Sequence, residues 1–75
     1  MSPSDVRKAL VDFVEGRGGE WDWDDFISVP IRDPKLEAIR RRCAQLPEEF
    51  PPEQRGHYCG AGGIEVIRQF IQELA

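Results

Sequence analysis

Apolar residues recur at helical spacing in three stretches of the chain and lose that rhythm between them. In the first, Val6, Ala9, Leu10, Phe13 and Val14 form one stripe, while Arg7, Lys8, Asp12 and Glu15 fall elsewhere on the wheel. Ser4 is placed to cap this segment, Asp5 suits the positive helix end, and Gly16 suits a left-handed stop. The pattern predicts a helix over Asp5–Glu15, followed by a turn at Arg17-Gly18-Gly19. In the second stretch, Asp33-Pro34 joins a capping side chain to a proline whose missing N–H costs nothing at a helix start. Leu36, Ile39, Cys43 and Leu46 follow as a narrow seam, with Glu37 and Arg41 spaced as a favourable i,i+4 pair. Pro47 is expected to end this helix, giving Pro34–Leu46. The third helix, Gly62–Leu74, carries Ile64, Val66, Ile67, Phe70, Ile71 and Leu74 over nearly half its wheel. So wide a stripe should touch two neighbours and make this the central packing helix.

The stretch Trp21-Asp22-Trp23-Asp24-Asp25-Phe26 admits two readings. Its alternation fits a strand from Trp21 to Phe26, but the acids at its start favour a short helix over Trp23–Ser28. Asp22 then caps that helix and Asp25 is its reciprocal partner, as in an acidic capping box. Trp23, Phe26 and Ile27 share a face and should point inward, which leaves Trp21 as the exposed ring. Val29 precedes Pro30 and should be extended. From Pro47 to Gly63 periodicity disappears. Phe50 and Tyr58 are the residues placed to pin this long connection to the core, with a short helical turn expected near Pro51–Gln54. The expected fold is a single all-α domain over 1–75, with three long helices, one short helix and the last helix central.

Charge sharpens this picture. The net charge is −4, and residues 1–30 hold seven acids against three bases while residues 31–75 hold seven of each. Glu20, Asp22, Asp24 and Asp25 alone equal the excess. Such a field argues against nucleic acid, which needs a positive footprint, and suits a basic protein partner. No stretch approaches ~18 apolar residues and no signal-peptide core is present, so a cytoplasmic, membrane-free protein is expected. Cys43 and Cys59 are then reduced thiols. At 75 residues the chain buries only about 60% of its unfolded surface, so good packing matters.

Candidate chemistry is sparse. His57, Cys59 and Cys43 are three ligand-type residues without the paired spacing of a zinc site, and buried thiols beside a loop histidine explain them better. Gly60-Ala61-Gly62-Gly63 ahead of a helix resembles an anion cradle, but Glu65 occupies the third glycine position of the dinucleotide fingerprint and no strand precedes it. A tight turn that lets the last helix approach its neighbours is the plainer account. Arg40-Arg41-Arg42 reads as a solvated face with local pairs. Asp22-Trp23-Asp24-Asp25 is no calcium loop, since Ile27 stands where the glycine belongs. No metal or cofactor is expected.

The run W-D-W-D-D-F-x-x-x-P-x-x-D-P-x-L-E-x-I-R, from Trp21 to Arg40, resembles a family of short, acidic, uncharacterised bacterial proteins. A further similarity, over Gly63-Ile64 and Ile67-Arg68-Gln69-Phe70, is to the colicin-nuclease immunity proteins, which are small, acidic, four-helix inhibitors. The chain departs from them at their Tyr-Tyr-Pro motif, near which only Tyr58 stands, and in having its short helix before the second long one.

Two functions follow as expectations. The first is a non-enzymatic, acidic interaction module, an inhibitor or immunity-type partner of a basic protein, binding through Glu20, Trp21, Asp22, Asp24 and Asp25. The second is a small enzyme or anion-binding protein using His57, Cys59 and the Gly60–Gly63 loop. The first calls for an acidic patch without a cleft, the second for a pocket joining His57 to the glycines. A homodimer through an exposed Trp is compatible with either.

Overall fold

The computed structural model describes residues 1–17 and 22–75 and places among them four helices and no strand: α1 (Pro3–Glu15), α2 (Asp22–Ser28), α3 (Pro34–Glu49) and α4 (Ala61–Glu73). The start of α1 lies earlier than Ser4. Ser2 is the cap: its hydroxyl accepts from the Asp5 N–H, the Asp5 carboxylate accepts from the Ser2 N–H, and Pro3 fills the first turn. Gly16 ends the helix with φ 70°, and its N–H closes on Asp12 and Phe13. Asp22, expected outside α2, is its first residue. At α3 the Asp33 carboxylate accepts from the N–H groups of Lys35 and Leu36.

Pro47 does not stop α3; the helix runs through it to Glu49. A proline inside a helix removes the N–H that would reach the carbonyl four residues earlier. Here that carbonyl belongs to Cys43, and the Tyr58 hydroxyl donates to it at 2.8 Å. Leu46, just before the proline, is fully buried, and its own carbonyl accepts from Phe50 N–H at 2.8 Å. Arg42 reaches across the proline turn to Glu49 at 2.6 Å. A replacement donor, a buried anchor and an ion pair therefore hold the last turn together.

The connection is shorter than expected, because α3 takes its first residues and α4 its last. Near Pro51–Gln54 there is no helical turn. Instead His57 N–H donates to Gln54 C=O, with Gly56 at φ 90° in the third position, as a type II turn requires. Phe50 and Tyr58 do pack against the core, and Gly60 N–H ties back to Phe50 C=O at 2.7 Å.

In packing, α1 lies along α4 and touches α2, while α3 touches α2 and α4. In these main pairings each helix packs on two others, round a shared core led by Val6, Leu10, Cys43, Leu46 and Ile67. The stripe of α4 has its two neighbours, yet α4 itself buries only Gly63 and Ile67, against four residues of α3. Ile64, Phe70 and Ile71 are half-buried. The central place expected for α4 is therefore not borne out by its share of the buried core. The close fit of α4 against the preceding loop depends on Gly63: a Cβ there would lie 2.6 Å from Cys59 Sγ, while 3.6 Å to Leu46 Cβ of α3 is ordinary contact.

Two outcomes test this account. Tyr58→Phe should cost about 1 kcal/mol of unfolding free energy. The same change should cost less in a Pro47→Ala background, where the restored N–H takes the Cys43 carbonyl. Equal costs in a urea double-mutant cycle contradict the link. Gly63→Ala should destabilise by ~1–3 kcal/mol through overpacking, although alanine is the better helix former by about 1 kcal/mol.

Candidate functional site

The acidic end of the molecule is built by α1 and α2. Their apolar faces meet through aromatic rings: Phe13 stacks on Trp23 with centroids 3.9 Å apart and planes 15° apart, and Trp23 lies 5.3 Å from Phe26. Tyr58 sets its edge against both Phe13 and Trp23, each at 5.7 Å. Trp23 and Phe26 are buried and Ile27 is half-buried, as their shared face predicted. Burial raises the Tyr58 phenol pKa. The nearby Trp23 indole N–H opposes that shift, although it completes no hydrogen-bond geometry with a described residue.

Between the two helices lies an open groove of about 670 Å³. Ala9, Phe13, Trp23 and Phe26 form its deeper part, and Met1 and Val29 stand exposed at its edge. Asp5 and Asp12 border it from α1, Asp22 and Asp25 from α2, and among the described residues Lys8 is the one basic side chain, beside the Met1 α-amino group. Lys8 is paired to Asp12 at 2.6 Å. The Ser2 backbone N–H, then its hydroxyl, hold the Asp5 pKa below the usual range. The hydrogen bond from Lys8 does the same for Asp12. Both are therefore anions at neutral pH.

Of the residues expected to bind a partner, Asp22 and Asp25 line this groove, while Asp24 is exposed outside it. Glu20 and Trp21 lie outside the described residues. The acidic side carries a groove where a patch without a cleft was expected, because the small Ala9 leaves space beside the Phe13–Trp23 stack. Sequence reasoning missed the contribution of α1: Asp5 is placed there at a helix end, and Asp12 only off the apolar stripe. Position 12 lies between the stripe residues Leu10 and Phe13, and only the docking of α2 turns that flank into a rim.

The orientation of α2 is fixed by a node that the sequence showed only in part. Glu37 accepts from Arg40 through both carboxylate oxygens at 2.6 Å, from Ile31 N–H at 2.9 Å and from Arg41 at 3.0 Å. Arg40 in turn donates to the Ile27 carbonyl at 2.5 Å, near the C-terminal end of α2. The expected Glu37–Arg41 pair forms, but the more enclosed partner is Arg40, whose side chain is 13% exposed. Arg40 thus departs from the solvated face assigned to the arginine run, because α2 and the Ile31 segment cover it.

A second hollow, of about 450 Å³, joins His57 and Cys59 to Gly60 and Ala61, so the pocket expected of the alternative function is present in part, without Gly62 and Gly63; Arg68, Glu53 and Glu65 are also on its wall. Gly62 packs on the Phe50 ring and Gly63 on Cys59, so the later glycines serve helix approach. Cys43 and Cys59 are both buried free thiols. Burial pushes Cys43 up to about 12, and burial also raises Cys59, which keeps both protonated at neutral pH. Among the described residues no cluster of three or more His, Cys, Asp or Glu could hold a metal ion, and no helix is long and apolar enough to cross a membrane.

The Glu37 node sets a pH dependence. Hydrogen bonding from Arg40, then from Ile31 N–H, holds its carboxyl well below the ordinary range. A depressed carboxyl contributes stability that is complete above its unfolded pKa of about 4.3 and is lost as pH falls towards the folded value. Glu37→Gln should therefore lower the urea midpoint at pH 7 and shrink the acid limb of the stability curve. Asp5 and Asp12, also lowered, act in the same direction. An unchanged limb in the variant contradicts the assignment.

No family model matches the chain, and neither does a curated protein or a solved structure. The geometry of the groove and of its supporting node therefore carries the functional argument.

Proposed function

We propose that the chain is a non-enzymatic, acidic protein-interaction module, an inhibitor or immunity-type partner of a basic protein, working from the side where α1 faces α2. The observation that supports this reading is the gathering of Asp5, Asp12, Asp22 and Asp25 around one apolar groove, where four carboxylates outnumber Lys8 and the Met1 α-amino group among the described residues. Asp24 adds its carboxylate to the same helix. Fixed negative charge on a rigid surface speeds encounter with a cationic partner and rejects anionic ones. A catalytic or anion-binding role at the His57 hollow has less support, because Cys59 is buried and protonated and Glu53 and Glu65 share the wall.

The test begins with proteins retained from native cytoplasm at low salt and eluted by a salt gradient. Each is identified and purified before association is timed. The double variant Asp24→Asn/Asp25→Asn should slow association several-fold and flatten its salt dependence, since screening acts over about 8 Å at physiological ionic strength. The fold should survive with a loss of no more than about 1 kcal/mol at the start of α2. Unchanged rates and salt dependence place the binding surface elsewhere.

A further inference from the structure

Resting on that reading, we propose that the α1–α2 groove takes one apolar side chain of the partner, carried on a basic segment with lysine or arginine on both sides of it. The large hydrophobic residues that stand exposed among the described ones are Met1, at 60%, and Val29, at 61%. Both border this groove. Beneath them Phe13, Trp23 and Phe26 are locked by ring contacts, so the floor is rigid before anything binds. Ala9 and Gly16 contribute little or no side chain, which keeps the groove open along α1.

The rim decides the chemistry of the occupant. Carboxylates stand on both walls, Asp5 and Asp12 on α1 and Asp22 and Asp25 on α2, and Lys8 is already held by Asp12. A purely apolar ligand would take water from these anions and give nothing back. A purely cationic one would leave Met1, Val29 and the aromatic floor wet. A segment with an apolar residue between cationic ones satisfies both. A second copy of the chain would bring the same carboxylates against themselves, and nucleic acid or an anionic membrane surface would meet the same repulsion.

The experiment titrates the full chain, by isotope-edited NMR, with two synthetic peptides, Lys-Arg-Leu-Arg-Lys and Lys-Arg-Ser-Arg-Lys. The Leu peptide should shift the amides of Ala9, Phe13, Trp23 and Val29. It should bind about tenfold or more tightly than the Ser peptide, the difference that burying one leucine brings. Ala9→Leu fills the groove and should bring the two affinities together without weakening the Ser peptide. Val29→Ser, at an exposed position, should narrow the same difference and serves if Ala9→Leu does not fold. Equal affinities for the two peptides in the wild type, or shifts confined to α3 and α4, overturn the groove inference. In the first case binding that weakens in Asp24→Asn/Asp25→Asn preserves the acidic-surface reading. No binding of either peptide overturns both.

Discussion

Tyr58 ties three helices together at the break that Pro47 makes in α3. Its hydroxyl supplies the hydrogen bond that Pro47 takes from the Cys43 carbonyl, and its ring edge packs on Phe13 and Trp23. One side chain from an irregular loop thereby joins the interior of α3 to the contact between α1 and α2. A buried carbonyl without a donor is unfavourable by more than an ordinary hydrogen bond contributes, so the loop cannot leave without opening α3. This explains how a connection without secondary structure of its own keeps a fixed path. The tie-back from Gly60 to Phe50 then delivers the chain to the start of α4.

The short helix α2 depends on its neighbours in the same way. Seven residues are too few for a helix to stand alone in water. Trp23 and Phe26 anchor its inner face, and Arg40 takes the Ile27 carbonyl, one of the acceptors left open at a helix end. Glu37 fixes Arg40 and also holds the Ile31 N–H, so the segment leaving α2 is gripped by the same carboxylate. The pair is largely shielded from solvent and each Arg40 nitrogen donates a hydrogen bond, a circumstance in which an ion pair can define geometry. What it defines here is the angle at which α2 presents its acids to α1.

That arrangement connects stability with the proposed role. A domain of this size has little apolar surface to spare, yet it leaves Met1 and Val29 in water beside a rigid aromatic floor. The carboxylates around them are fixed by ordinary structural interactions: Asp5 closes a capping box and Asp12 holds Lys8. Residues that stabilise α1 therefore also shape the electrostatic rim. The field and the apolar surface coincide in one place, and the proposed amphipathic partner rests on that coincidence.

The helices were legible in the sequence because their signals are local. The seam Leu36, Ile39, Cys43 and Leu46 is buried throughout, Gly16 takes the left-handed turn, and Asp33 caps as its proline neighbour implies. Ser2-Pro3 carries the same cap-then-proline signal as Asp33-Pro34, so the true start of α1 was also readable, although Ser4 stood closer to the apolar stripe. The passage of α3 through Pro47 was not readable, because the donor that makes it tolerable comes from eleven residues further along the chain. Nor was the burial of Arg40, which depends on α2 folding over it. The groove has the same origin: Asp12 and Asp25 belong to separate helices, and only their packing makes them two walls of one site. Periodicity and caps determine where helices form; the partners of their freed backbone groups, and the surfaces they share, exist only once the chain has closed on itself.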